Sequence, residues 1–304
     1  MTKLSPLASV SETRAVLEAH GLSTKYSLGQ NFLINDAILQ KIVALADLAP
    51  DDYVLEVGPG IGTLTIALLK HAGRVLSVER DPDLPAVLAE TLAPWSDRFA
   101  LISKDALDLT HDDLCATGAS SGALPNKFVA NLPYAVAATV VLDYFELFAS
   151  LASATVMVQK EVADRMAAHP GTKNYGAYTV KLRLHAEPVG RFSVGPGNFF
   201  PPPRVESAVL RLDRRPVFDD DGVQLDADAI AAACTMAEAA FATRRKTLSN
   251  SCKTYFAGRG PQGAAVISVL PQLFERAGVD PKLRGEALDL PEFVRLGRAY
   301  QQVG

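Results

Sequence analysis

A chain of 304 residues is long enough to bury one full-sized core and, at roughly 100–200 residues per domain, two. With 48% apolar and 21% charged residues it is not disordered or fibrous. A formal net charge of -4 excludes a protein that coats itself in nucleic acid by overall basicity, so any such contact must come from local basic patches. Three widely spaced cysteines, Cys115, Cys234 and Cys252, suggest neither a disulfide framework nor a zinc site, and no metal is expected. Residues 1–10 lack the basic and apolar regions of a signal peptide, and no apolar run approaches the ~18 residues of a membrane span. The expectation is a cytoplasmic protein with no membrane partner.

From Asp52 onward, short β-rich runs alternate with helical patterns. Residues 53–57 read as a strand, followed by a glycine-rich turn and an apolar-periodic helix over 64–70. Further strands are predicted at 74–78, 99–103, 127–130 and 154–159, separated by stretches long enough for crossovers. This repetition predicts an α/β protein with a doubly wound, mostly parallel sheet. Residues 115–126, rich in Ala, Gly and Ser, are expected as a surface loop. Two later apolar runs, 177–184 and 208–212, flank the proline-rich segment 199–204 and are expected to extend the same sheet. Between Asp213 and Asp228 the composition turns polar and acidic, with Pro216 and Gly222, and alanine-rich helical patterns follow. A Rossmann-like domain over 1–213 and a smaller all-α domain over 214–304 are therefore predicted.

The most specific local signal is Glu56-Val57-Gly58-Pro59-Gly60-Ile61-Gly62-Thr63, after a strand and before a helix. Glycines there let the backbone approach a ligand closely. A dinucleotide fingerprint needs its third glycine at position 63, where this chain has threonine, so the pattern favours S-adenosylmethionine over NAD. The second strand ends in Glu79, about twenty residues past Gly58, where a carboxylate can accept from both ribose hydroxyls. The third ends at Asp105, suited to the cofactor's adenine amino group. Each carboxylate alone reads as a solvated surface group. Three such features at successive strand ends point to a cofactor site, because open α/β sheets bind ligands at the carboxyl ends of their strands.

After the fourth strand stands Asn131-Leu132-Pro133-Tyr134. The lone pair of an adenine N6 is delocalised into the ring, and the amine attacks only if its hydrogens are held so that the nitrogen becomes more pyramidal. Two neutral acceptors can do this. The assigned acceptors are the Asn131 side-chain oxygen and the Pro133 carbonyl, with the Tyr134 ring stacking on a flipped-out base. Catalysis then rests on in-line positioning against a sulfonium, and no strong base is needed. Read alone, the tetrapeptide is equally a strand-to-turn exit.

Taken together, the residues resemble the bacterial small-subunit rRNA adenine dimethyltransferases of the KsgA/RsmA type. The resemblance runs over nearly the whole chain, through 28–33, 56–65, 131–134, 159–162, 174–176, 199–207 and 241–248. It implies that Asn31 and Leu33 line the cofactor site with Gly58, Gly60, Glu79, Asp105 and Asn131, and that Phe199 packs against the target base opposite Tyr134. It also implies dimethylation of N6 on two adjacent adenines in a hairpin near the 3′ end of 16S rRNA, within the immature 30S subunit, by a monomer. One departure is Ala135-Val136-Ala137, where family members commonly have Asn-Ile-Ser. The segment 241–259 holds Arg244, Arg245, Lys246, Lys253 and Arg259 with no acidic residue, a candidate phosphate-binding patch or a solvated helix face. Rival readings are a large-subunit adenine methyltransferase of the macrolide-resistance type, a non-catalytic ribosome-assembly factor and, weakest, a nicotinamide-dependent dehydrogenase.

Overall fold

The computed structural model describes residues 3–25, 29–118 and 122–302; Leu28 of the sequence pattern and residues 119–121 of the expected loop lie outside them. The strands are β1 (Phe32–Leu33), β2 (Tyr53–Val57), β3 (Arg74–Glu79), β4 (Phe99–Ser103), β5 (Lys127–Asn131), β6 (Ser153–Gln159), β7 (Ala186–Val194), β8 (Phe199–Phe200) and β9 (Ser207–Arg214). Seven form one sheet in the order β4-β3-β2-β5-β6-β9-β7. Strands β4 through β6 pair in parallel, and β9 runs antiparallel to β6. All five residues of β2 are buried, as a strand covered on both faces requires. The helices Asp36–Ala46 and Thr63–Leu69 pack apolar side chains, among them Leu39, Ile42, Ile66 and Leu68, into the core of this unit.

Two compact units divide the chain. One comprises 1–163 and 188–214, the other 164–187 and 215–304. The second cut falls where the acidic, proline-containing stretch begins; the segment 164–187, expected in the first domain, packs with the second unit. The reason is local: residues 177–184 do not form a strand. Ala177–Arg183 is a helix that buries Thr179, Val180 and Leu182, and Val180 joins the apolar core of the helices Ala227–Phe241, Leu248–Ala257, Gly260–Ala277 and Leu290–Gln301. The sheet edge is made instead by β7, buried at its two ends and alternating between partly buried and exposed residues between them. Pro188 and Gly190 weaken its strand signal, but an edge strand tolerates both. The expected loop is also corrected in part: His111–Gly118 is a helix. The Thr110 hydroxyl accepts from the Asp113 N–H while the Asp113 carboxylate accepts from the Thr110 N–H, a reciprocal cap that nucleates the first turn.

Candidate active site

Between β2 and β5 the direction of progression across the sheet reverses, β2 having β3 on one side and β5 on the other, both parallel to it. The crevice above the strand carboxyl ends at such a reversal is the ligand site of open α/β sheets. A cavity of about 560 Å³ opens there, in the size range of small-molecule sites.

One wall is backbone. Gly58 and Gly60, which line it, and Gly62, which caps the helix that follows, have φ of 69°, 60° and 90°, a region that costs an ordinary residue roughly 1–2 kcal/mol. At Gly60 space is missing as well, since a Cβ would stand 3.0 Å from the Phe32 ring. Glu79, the last residue of β3, is 7% exposed. Burial raises its pKa, opposed by the backbone N–H groups of Asp81, Gly60 and Arg80 that donate to it, the first at 2.8 Å. Just beyond β4, Asp105 accepts from the Leu107 N–H at 3.1 Å and from Arg80 Nη1 at 3.0 Å. Deeper in the wall, Glu56 is 1% exposed and its Oε2 accepts from the hydroxyls of Thr65 and Ser77, both at 2.7 Å. Burial pushes its carboxyl up to about 7 against those two bonds. The Thr63 hydroxyl, buried and without a partner among the described residues, also belongs to the cavity wall; a ligand with a polar group would satisfy it.

Facing it is a wall of side chains. Asn131 ends β5, and its Nδ2 donates to the Asn31 carbonyl at 3.1 Å. That bond commits the amide nitrogen to the protein and leaves Oδ1 as the acceptor available to a ligand. The Pro133 carbonyl accepts the Val136 N–H at 3.2 Å, so the turn occupies one of its two lone pairs. The Tyr134 hydroxyl lies 2.6 Å from Ser207 Oγ, and burial raises its pKa.

Of the residues singled out in the sequence, Asn31, Leu33, Gly58, Gly60, Glu79, Asp105, Asn131, Pro133 and Tyr134 line this one cavity. Phe199 does not. Strand β8 pairs antiparallel with β1, Phe199 opposite Leu33, and this turns the Phe199 ring into the core, where it is 2% exposed. The cavity is bordered on that side by Pro201–Val205 instead. Arg244, Arg245 and Lys246 sit exposed in the second unit, after the helix Ala227–Phe241, and line no part of the cavity; Arg244 Nη2 donates to the Lys173 carbonyl at 2.8 Å. Two residues gave no sequence signal of a role. Asp81, 2% exposed, accepts from Lys25 Nζ at 2.6 Å and Gln30 Nε2 at 2.8 Å, which anchors Gln30 beside Asn31. Ser207 is the other. Both act through partners distant in the chain, which no local pattern records.

A glycine turn after a central strand, a buried carboxylate at the end of the next and an Asn-Leu-Pro-Tyr turn at the sheet's reversal define a Rossmann-like methyltransferase. More narrowly, the chain belongs to the ribosomal RNA adenine dimethylase family, whose model matches residues 21–270. It is 40% identical to ribosomal RNA small subunit methyltransferase A of Corynebacterium diphtheriae, over 94% of this chain and 93% of the relative. The protein of the same name from Geobacillus kaustophilus is also 40% identical, with 96% of each chain covered. Among solved structures, a dimethyladenosine transferase from Plasmodium falciparum shares the fold at a TM-score of 0.71 and 22% identity, over 87% of this chain and 95% of that one. The 23S rRNA methyltransferase ErmE follows at 0.60 and 26%, over 90% and 100%.

Proposed function

We propose that the protein dimethylates N6 of two adjacent adenines in a hairpin near the 3′ end of small-subunit rRNA, drawing all four methyls from S-adenosylmethionine. It would act as a cytoplasmic monomer on the immature small subunit. The observation that carries the reading is the anchored amide of Asn131, which presents a neutral acceptor at the sheet's switch point. Full-length relatives named as small subunit methyltransferases support the choice of subunit.

The residues fit the cofactor in kind. The left-handed glycines 58 and 60 allow close backbone approach, Glu79 offers a buried carboxylate to the ribose, and the partnerless Thr63 hydroxyl offers one more polar contact. Asp105 serves the cofactor's adenine, and Asn31 and Leu33 close the site. When bound, the cofactor supplies an electrophilic methyl on a sulfonium. The protein's own part is positioning. Asn131 Oδ1 and the Pro133 carbonyl accept the two N–H bonds of the target amine, and Tyr134 stacks on the extruded base. Once the methyl is on, the nitrogen is cationic and acidic and gives one proton to solvent, so a single N–H remains. Asn131 keeps it, because the Pro133 carbonyl already shares itself with the Val136 N–H. Arg244, Arg245 and Lys246 supply phosphate contacts, which fix orientation without reading sequence.

The test is transfer of labelled methyl to small subunits lacking dimethyladenine, with large subunits as control and mass spectrometry to count methyls. Two methyls on each of two adenines, on the small subunit alone, is the expected result. Label on large-subunit RNA would move the protein to the resistance-type activity, and binding without transfer would make it a non-catalytic assembly factor.

A further inference from the structure

Ser207 opens β9, is fully buried and lies opposite Gln159 in the antiparallel β6–β9 pair. Its hydroxyl stands 2.6 Å from that of Tyr134. Since the sheet order is β5-β6-β9, this bond fastens the turn that leaves β5 to the start of a strand two places away. The Ser207 end is itself held. The neighbouring Glu206 carbonyl accepts the Lys160 N–H at 3.0 Å, and the Glu206 carboxylate pairs with Lys160 Nζ at 2.6 Å.

An aromatic ring fixed at both Cβ and its hydroxyl keeps one freedom, rotation about its own long axis. Released at the hydroxyl, it regains its χ1 wells and can swing away from the cavity wall. We propose that Ser207 is a positioning residue for methyl transfer, holding the Tyr134 ring against the cavity wall before the target base arrives. The inference rests on the function proposed above. Its physical basis is preorganisation: a ring already in place loses no rotamer freedom when the base stacks on it. The phenol's pKa is raised by burial, so the tether persists through neutral and mildly alkaline pH.

The experiment is a double-mutant cycle on the full chain with Ser207→Ala, Tyr134→Phe and the pair, measured on undermethylated small subunits. Each single change deletes one end of the same bond and keeps the ring, so each is expected to lower kcat/KM for the subunit about tenfold, the scale of one hydrogen bond. The double variant should lose no more than either single one, and KM for S-adenosylmethionine should stay within about twofold throughout. Wild-type turnover in Ser207→Ala, or a double loss equal to the product of the single losses, would overturn the proposal. If Ser207→Ala does not fold, Tyr134→Phe decides alone, and full activity in it is the contrary result. Wild-type transfer is scored first: its absence defeats the proposed function, whereas transfer undiminished in the variants defeats only this inference. Independently of turnover, a slowly exchanging Tyr134 hydroxyl proton should be visible by NMR in the wild type and absent in Ser207→Ala; rapid exchange in the wild type would contradict the tether.

Discussion

The two walls of the cavity are built on different principles. The wall above β2 and β3 is backbone: the left-handed glycines 58 and 60, with a buried carboxylate whose geometry is set by N–H groups. The wall above β5 adds to the Pro133 carbonyl two side chains, each aimed by one long-range bond, Asn131 to Asn31 and Tyr134 to Ser207. A backbone wall offers shape, and at Gly60 it leaves little room for an added atom. A side-chain wall offers directed acceptors and depends on the residues that aim them. Changes in the first should therefore damage cofactor affinity, and changes in the second should damage transfer while sparing that affinity.

Gly60→Val breaks the comparison most severely. A β-branched residue at a φ of 60°, with a Cβ 3.0 Å from Phe32, combines backbone strain with overpacking, about 4 kcal/mol together. Calorimetric affinity for S-adenosylmethionine should fall roughly a thousandfold, or 4 kcal/mol; a tenfold loss or less would mean that the turn yields easily.

Glu56 gives the next effect, on stability. Its carboxyl holds its proton to about 7, above its value in the unfolded chain, so the neutral form is the one the fold favours. Its contribution is fully present below the unfolded pKa of 4.5 and is lost as pH rises through about 7. At about 1.4 kcal/mol per pH unit the loss is on the order of 3 kcal/mol. Glu56→Gln keeps an acceptor for Thr65 and Ser77 and removes the titration. Denaturant unfolding of the variant should depend less on pH between 4.5 and 7, and parallel curves for the two proteins would refute the account.

The smallest effect belongs outside the cavity. Replacing Arg244, Arg245 and Lys246 together by Ala should weaken subunit binding about tenfold at physiological salt and reduce the salt slope by roughly one for each phosphate left without its cation. Cofactor affinity should not change; an unchanged salt slope would mark these residues as a solvated surface.

The backbone wall was also the more legible one. Glycines that need positive φ leave a local mark, and the strand that leads into them, 53–57, and the one that ends in Glu79, 74–79, are short apolar runs ended by turns. Asn131 and Tyr134 were legible as cavity residues, yet the groups that hold them were not, because Asn31 and Ser207 lie far away in the chain. Phe199 was misplaced for the same reason: its direction is set by pairing with Leu33, which no local pattern records. Residues 177–184 mix β-branched and aromatic side chains that favour a strand, and burial among the helices of the second unit overrides that preference. The strand that takes the edge hides behind Pro188 and Gly190.

Asn131→Ala tests the division between the walls most directly. Its affinity for S-adenosylmethionine and for undermethylated small subunits should stay within about threefold of wild type, while single-turnover methyl transfer should fall by two to three orders of magnitude, the scale seen when one preorganised hydrogen-bonding group is removed. Transfer at the wild-type rate, or a loss wholly explained by weaker cofactor binding, would contradict the assignment of Asn131 as the oriented acceptor.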